Sequence, residues 1–180
     1  AAVVLAAIDR LFPFDAMLLH LLSEDCRQVY RVLTVDTVHG RRVEQIAEEV
    51  VAGPSAMFQR VAAEGAQLVL RDSPTLTDVP LEPFGEAARA SASLMFVPLR
   101  AGGRVIGVLS VQSYTPRAYD AGSLERLQSL ADYAGTGLAR VSAHDESDRL
   151  SRLLLETQRV ARLGCFEGNL VTGVDHWSDE

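Results

Sequence analysis

Two apolar segments joined by a pair of glycines limit what this chain can fold into more than any other feature. The segments span residues 93–100 and 104–113, and Gly102 and Gly103 stand between them. Glycine accepts the positive φ angles that a tight hairpin turn requires. A segment that is apolar on both faces is typical of a central strand. The pair therefore predicts an antiparallel hairpin inside a sheet, followed by a long helix from Leu124 onwards.

Gly107 interrupts the second apolar segment. A glycine within a strand removes side-chain packing and often marks a bulge or the close approach of another group. We expect a bulge or a tight helix contact at this position, with the approach of another backbone or a ligand as the alternative.

Shorter elements precede this hairpin. Their apolar spacing and their proline and glycine positions predict, in chain order, a helix over 1–12, strands over 15–22 and 28–36, a helix over 53–65 and a strand over 66–72. Residues 40–51 fit a helix and a strand equally well. Residues 72–92 hold four prolines and glycines and show weak periodicity, and such long connections are often lids or binding loops.

Charge and cysteine content exclude several classes of function. The net charge of −7 argues against nucleic acid or an anionic membrane as the partner. All 17 basic residues are arginine, which excludes Schiff-base lysine chemistry and a P-loop lysine. Cys26 and Cys165 do not form a disulfide framework, and no apolar run approaches the roughly 20 residues of a membrane span. We therefore expect a cytoplasmic location without membrane contact in this segment.

No catalytic or metal-binding constellation is visible in the sequence. Four scattered histidines and two cysteines do not match the clustered ligands of a zinc site. The G-x-S-x-G and G-x-G-x-x-G motifs are also missing. We therefore expect neither an enzyme nor a metal site in this segment.

The order of the predicted elements resembles a GAF domain, a sensory module of signalling proteins, over residues 1–141. The resemblance rests on the hairpin at 15–36, on GPSAMFQRVAAEG followed by LVLRD, on MFVPL with GGRVIGVLSV, and on PRAYDAGSLERLQSLADYAGTGLAR. It implies an α+β fold with a central antiparallel sheet and helices on one face. On the other face it implies a pocket that the helix and loop of 54–92 cover. GAF domains often bind cyclic nucleotides, haem, bilins or small metabolites, and some bind nothing known.

The resemblance does not identify a cofactor. Tyr119, Asp120 and Glu125 are similar to the end of the cyclic-nucleotide signature, but that signature also needs a lysine, which the chain lacks. Bilin attachment needs a cysteine in the pocket loops, and residues 37–92 contain none.

Two further chemistries of the family need residues that the chain supplies only in part. GAF-type methionine sulfoxide reductases use several cysteines, and Cys26 alone does not match them. His20 or His39 would be the ligand of a haem, although a single histidine in a strand is more often a packed or surface residue. The cofactor therefore stays unknown.

The implied pocket has a set of candidate lining residues, drawn from the aromatic, sulfur-containing and polar side chains of the strands, the short helix and the loop. They are Tyr30, Met57, Phe58, Asp72, Phe84, Met95, Phe96 and Gln112. Met57, Phe58 and Phe96 also suit a closed core. The set leaves two readings open, a pocket that takes a small molecule and a pocket that its own side chains fill.

A second resemblance begins near residue 164. The residues that carry it are Ala161, Arg162, Leu163, Gly164, Phe166, Glu167, Asn169, Leu170, Thr172, Gly173, Trp177, Ser178, Asp179 and Glu180. They are similar to the start of a PAS domain after a helical linker. The expected organisation is a GAF domain over 1–141, a linker over 142–163 and a truncated PAS start over 164–180, with a hairpin turning at Thr172 and Gly173.

The long helix carries two apolar seams at alternating three- and four-residue steps. The first holds Leu124, Leu127, Ala131, Ala134, Leu138 and Val141, and the second holds Leu150, Leu153, Thr157 and Val160. Such seams pack on the domain's own sheet or on a second copy.

We expect a sensory domain of a bacterial-type histidine kinase or diguanylate cyclase. It would bind a small molecule, dimerise through its terminal helices and relay a signal to the PAS domain. The alternative is a ligand-free dimerisation and coupling module.

Overall fold

Six antiparallel strands form the main sheet of this α+β protein. The computed structural model describes residues 2–23, 25–51, 53–72, 90–161, 166–169 and 174–177. The strands are β1 (Ala16–Leu22), β2 (Val29–Val38), β3 (Arg41–Val51), β4 (Gln67–Leu70), β5 (Ser93–Ala101) and β6 (Arg104–Ser113), in the order β3-β2-β1-β6-β5-β4. The helices are α1 (Ala2–Leu11), α2 (Ala56–Glu64) and α3 (Ala121–Ala161). The predicted fold class is confirmed.

The glycine-joined hairpin lies at the centre of the sheet, as predicted. β6 pairs with both β1 and β5, and Gly102 and Gly103 form its turn with φ angles of 56° and 80°. Two successive positive φ angles give the turn the twist that two antiparallel strands need.

Residues 40–51 form a strand, which settles the ambiguity in the sequence. β3 pairs antiparallel with β2 along its length, after a turn in which His39 and Gly40 have φ angles of 50° and 73°. The pairing with β2, which a single segment cannot reveal, selects the extended form.

The two faces of the sheet differ in polarity. Val35, Met17, Val111 and Met95 lie side by side across four strands, and all four are fully buried. α1 packs on this apolar face, where its Asp9 forms an ion pair with Arg42 of β3. Leu127 and Ala131 of α3 are also fully buried. The opposite face carries α2.

The short helix α2 has capping residues at both ends. The hydroxyl of Ser55 accepts a hydrogen bond from the amide of Phe58, and Gly65 ends the helix with a φ of 92°. Phe58 and Val61 are buried in a cluster with four residues of the sheet, Val29, Leu94, Phe96 and Val108. The caps therefore set where α2 begins and ends, and Phe58 and Val61 set which side of it meets the sheet.

Gly107 marks a close contact between backbones. The register of β5 and β6 shifts between Leu99 and Arg100, which leaves Ile106 as an extra residue beside Gly107. A Cβ atom on Gly107 would lie 2.3 Å from the carbonyl oxygen of His20 in β1. The predicted bulge is confirmed, the predicted tight helix contact is wrong, and the close approach is that of another backbone, which was the alternative.

The chain divides into two compact units, Ala1–Gly137 and Leu138–Glu180. In the second unit α3 continues to Ala161, and β7 (Phe166–Asn169) pairs antiparallel with β8 (Val174–Trp177). The predicted hairpin is therefore present, whereas its predicted turn at 172–173 lies outside the described residues. The predicted domain boundaries after 141 and 163 stay predictions.

Candidate functional site

The sheet face that carries α2 has an apolar part. Phe58 and Val61 of α2 meet Val29, Leu94, Phe96 and Val108, and Leu22, Met57 and Val69 pack around them. Close packing of aromatic and branched side chains stabilises the position of α2 on the sheet. This part holds α2 in place beside a second, polar part of the same face.

A chain of hydrogen bonds forms the polar part. Gln112 donates from Nε2 to Ser110 Oγ at 3.0 Å, and its Oε1 accepts from Ser91 Oγ at 2.9 Å. The carbonyl of Ser91 accepts from Arg71 Nη1 at 3.4 Å. We call Ser110, Gln112, Ser91 and Arg71 the polar chain. It runs from the centre of the sheet at β6 to the end of the edge strand β4.

Thr34 and His20 lie on the same face, on the far side of β6 from Arg71. Leu18 of β1 pairs with both Thr34 and Ser110, and directly paired residues point to the same face of a sheet. His20 pairs with Arg31 of β2 and with Val108 of β6. The register therefore brings a hydroxyl, an imidazole and a guanidinium onto the same face as the polar chain, one to two strands from β6.

Three buried polar atoms of this face have no hydrogen-bond partner among the residues that the structure describes. They are Nε2 of His20, Oγ1 of Thr34 and Nη2 of Arg71. Thr34 is only 7% exposed. A buried donor or acceptor without a partner costs about 1–3 kcal/mol, so these atoms mark a place where a bound polar molecule would gain hydrogen bonds.

The imidazole of His20 is uncharged near neutral pH. Burial, and to a smaller extent the positive charge of Arg31, lower the pKa of His20 from 6.5 to about 4. A neutral imidazole offers one donor and one acceptor. His20 therefore presents a hydrogen-bonding group rather than a charge to this face.

The buried carboxylate of Asp36 is engaged by the protein itself. Its Oδ1 accepts from the Tyr114 hydroxyl at 3.1 Å and from the Thr37 amide at 2.7 Å. Asp36 is two residues from Thr34 in β2 and shares its face. These hydrogen bonds place the negative charge of Asp36 at one border of the polar part.

Some of the sequence-predicted site residues meet on this face. Phe58, Phe96 and Met57 belong to the apolar part, and Gln112 is a member of the polar chain. The structure thus brings four of the eight candidates to the face that carries α2. Ligand contact by these four stays a prediction.

Of the other four candidates, three lie elsewhere in the described part of the chain. Tyr30 and Met95 alternate with residues of the α2-facing cluster along their strands, and so they point to the opposite face. Asp72 is exposed and pairs with Arg117 at 3.1 Å. Phe84 lies outside the described residues.

Sequence reasoning missed most of the polar part. Thr34, Ser110, Ser91 and Arg71 were not among the candidates, and His20 was considered only as a haem ligand. A signal was present, because Ser110 and Gln112 alternate with apolar residues in β6, as Thr34 and Asp36 do in β2. Polar residues at every second position of an otherwise apolar strand share one face.

Groups of metal ligands and membrane-spanning helices are both absent from the described part of the chain. Within it, no three or more His, Cys, Asp or Glu side chains are grouped so that they could hold a metal ion. His39 is exposed on the β2–β3 turn. None of the helices in the described ranges combines the length and the apolar character that a membrane span needs.

Comparison with known families identifies the class of protein. A family model described as a GAF domain matches residues 1–139. The chain therefore belongs to the GAF domain family. No curated protein sequence matches the chain.

Solved structures show the same fold. The second GAF domain of DevS from Mycobacterium smegmatis is 18% identical with a TM-score of 0.58, covering 81% of this chain and 94% of that one. The GAF domain of a two-component sensor histidine kinase from Bacillus halodurans is 16% identical with a TM-score of 0.57, covering 80% and 94%. A type II free methionine-R-sulfoxide reductase from Thermoplasma acidophilum is 16% identical with a TM-score of 0.53, covering 76% and 86%.

These similarities concern the fold. GAF domains are generally ligand-binding or regulatory modules of signalling proteins, although one of these structural relatives is an enzyme. At this level of identity, the ligand and the output of this chain follow from its own residues alone.

Proposed function

We propose that this domain is a sensor that binds a small molecule on the polar part of the face carrying α2. The observations that carry the proposal are three buried polar atoms without a partner among the described residues, two on the neighbouring strands β1 and β2 (His20 and Thr34) and one at the end of β4 (Arg71). Native proteins satisfy the large majority of their buried polar atoms. A bound ligand with matching donors and acceptors would satisfy these three.

The proposal includes a relay of the signal through α3. A Cβ atom on Gly135 of α3 would lie 2.3 Å from the carbonyl oxygen of Arg100 in β5, so that the helix rests directly on the strand. Gln128 of α3 also donates to the Pro98 carbonyl at 3.1 Å. A ligand that shifts β5 or its neighbour β6 would therefore act on α3.

The output of the relay is inferred from sequence resemblance. We propose that α3 leads to a PAS domain, whose first two strands are β7 and β8. A parent protein of the histidine kinase or diguanylate cyclase type in the cytoplasm is the expected context.

Two copies are proposed to associate in parallel through α1 and α3. Leu127, Ala131 and Ala134 of the first predicted seam are buried within the domain itself, so those turns pack on its own sheet. Other apolar side chains stay on the surface, with Val3 81% and Tyr133 80% exposed. These two, with Leu11, form the candidate dimer surface.

The test of sensing is native mass spectrometry on the chain purified without added ligand. We expect a bound mass that mild activation removes, together with a rise in melting temperature when the released compound is added back. A Thr34→Val variant should retain less of this mass, because the substitution removes a hydrogen-bonding group from the site. Clean apo protein with no thermal response to a metabolite panel would contradict the proposal.

The second candidate function is a ligand-free dimerisation and coupling module. The observation that favours it is the apolar part, where Phe58, Val61, Leu94 and Phe96 are buried against one another. In that case two copies associate although no mass is bound. The same mass spectra distinguish the two functions, because they report the number of chains and the bound ligand together.

A further inference from the structure

We infer that the ligand of this site carries a carboxylate or phosphate group and that Arg71 binds that group. This inference rests on the proposed function, since it names the class of molecule that the same face would take. It follows from the geometry of Arg71, from the charges of the face and from the polar groups that remain beyond Arg71.

The backbone and one guanidinium nitrogen of Arg71 are held by hydrogen bonds, and a second guanidinium nitrogen remains able to donate. Its backbone amide donates to the carbonyl of Ala92 at 2.8 Å, and its Nη1 donates to the carbonyl of Ser91 at 3.4 Å. Nη2 is buried and has no hydrogen-bond partner among the described residues. A guanidinium has donors and no acceptor, so the group that completes Arg71 is an acceptor.

A charged acceptor suits Arg71 better than a neutral one. The planar fork of a guanidinium matches the two oxygens of a carboxylate or a phosphate. Hydrogen bonds to an ionised acceptor are roughly twice as strong as those between neutral groups. Burial of Nη2 also removes the competing water that weakens such a pair at the surface.

The described charges of the face favour the same sign of ligand. The buried carboxylate of Asp36 already accepts hydrogen bonds from Tyr114 and Thr37. A cationic group at Arg71 would meet the positive charge of its guanidinium, whereas an anionic group would be attracted by it.

Uncharged polar atoms define the rest of the ligand. Thr34 and the neutral His20 lie on β2 and β1, and β6 and β5 separate them from Arg71 at the end of β4. Strands lie about 4.8 Å apart, so a ligand that reaches from Arg71 to His20 crosses three spacings, about 14 Å or more. An inorganic ion or succinate at Arg71 reports on the anionic end alone, and only a longer organic acid or organic phosphate with hydroxyl, amide or carbonyl groups along its length would also reach Thr34 and His20.

A series of probes with one carbon chain and different charges tests this inference on the full chain. Succinate, succinamide and putrescine are anionic, neutral and cationic respectively, and inorganic phosphate reports on the anion alone. The readout is the Nε–Hε signal of Arg71 in protein with nitrogen-15 arginine, assigned by its loss in Arg71→Gln. We expect succinate and phosphate to shift this signal, and succinamide and putrescine to leave it unchanged.

Matched variants show whether the effect belongs to the site. Arg71→Gln should weaken succinate binding about tenfold or more, since a charge-assisted bond is lost. Arg104→Gln, which removes the same charge from the exposed start of β6, should bind succinate as the unchanged protein does. Arg71→Lys, which keeps the charge without the fork, should lie between them. The titration of the unchanged protein stands even if a variant fails to fold.

The outcomes separate this inference from the proposed function. Anion binding that persists in Arg71→Gln, or binding of succinamide or putrescine in preference to the anions, overturns the anionic class. If the mass that co-purifies with the chain is neutral or cationic, the domain is a sensor but the inference is wrong. If no probe shifts the Arg71 signal and no mass co-purifies, both are wrong.

Discussion

Thr34 and Thr37 stand three residues apart in β2, and their hydroxyls have different surroundings. Oγ1 of Thr37 donates to the carbonyl of Asp15 at 3.0 Å, whereas Oγ1 of Thr34 is buried without a partner in the described part of the chain. The same substitution therefore has opposite consequences at the two positions. Comparing the two variants therefore separates the effect of losing the buried Thr34 hydroxyl from the general effect of replacing a threonine by valine.

We expect Thr34→Val to raise the free energy of unfolding of the ligand-free protein by about 1 kcal/mol, because the change removes an unsatisfied buried polar group. Thr37→Val should lower the free energy of unfolding by about 1 kcal/mol through loss of its hydrogen bond. Urea unfolding followed by circular dichroism measures both. Equal destabilisation by the two variants would show that Thr34 Oγ1 has a partner in the free protein.

His20 makes stability depend on pH. Its pKa falls from 6.5 in the unfolded chain to about 4 in the folded protein, so the unfolded chain takes up the proton first as the pH decreases. The contribution of His20 to stability is therefore fully present above about pH 6.5 and is lost as the pH falls towards about 4.

We expect the His20→Gln variant to lack this loss. Relative to the unchanged protein, the variant should gain about 2–3 kcal/mol in free energy of unfolding between about pH 7 and about pH 4. Urea unfolding at several pH values gives this difference. A pH-independent difference for His20→Gln would mean that His20 is not desolvated in the folded state.

The sequence predicted single residues of the site only in part. Phe58, Phe96 and Gln112 could be selected because large apolar and polar side chains in the right elements are visible without coordinates. Thr34 and Arg71 could not, since their importance comes from strand order and register, which bring β2, β6 and the end of β4 onto one face. Register is a property of pairs of segments, and the local pattern of one segment does not specify it.

Gly135 and Gly137 show how α3 fits on the sheet. A Cβ atom at Gly135 would lie 2.3 Å from the carbonyl oxygen of Arg100, whereas a Cβ atom at Gly137 would meet nothing within 4 Å. Both glycines lie inside a helix, where alanine is intrinsically preferred. Any difference between alanine substitutions at the two positions therefore reports the contact with β5.

We expect Gly137→Ala to raise the free energy of unfolding by up to about 1 kcal/mol, which is the gain in helix propensity. Gly135→Ala should lower it by about 1–3 kcal/mol, because the helix or the strand must move to make room for the methyl group. Thermal or urea unfolding compares the two variants. Stabilisation by Gly135→Ala would refute the close packing of α3 on β5.

Most helices and strands could be predicted because residues at their own ends mark where they stop. Pro13 follows α1, Ser55 and Gly65 cap α2, and Gly102 and Gly103 turn the central hairpin. β3 could not be assigned, since its alternation of arginine, valine and glutamate satisfies both a helical and an extended pattern. Its partner β2 decides the conformation, and that information lies outside the segment.

At the scale of the whole molecule, the exposed apolar residues of α1 and α3 bear on assembly. We expect the unchanged chain to sediment as a dimer and the double variant Val3→Glu, Tyr133→Glu to sediment as a monomer, because charges replace apolar contact area. Val43→Glu is the control, since Val43 is also exposed but lies on the edge strand β3, and it should stay dimeric. A monomeric unchanged chain at high concentration would exclude the proposed assembly.

Gly107 has a consequence for tuning the response of the domain. It lies on the sheet face opposite the proposed site, yet the absence of its side chain lets the His20 backbone approach β6. A methyl group there would push β1 away and move the His20 imidazole relative to the polar chain. The concentration at which the domain responds would thus be adjustable from a residue that never touches the ligand. Gly107 therefore gives both selection and protein engineering a position for changing the sensitivity of the domain from outside the site.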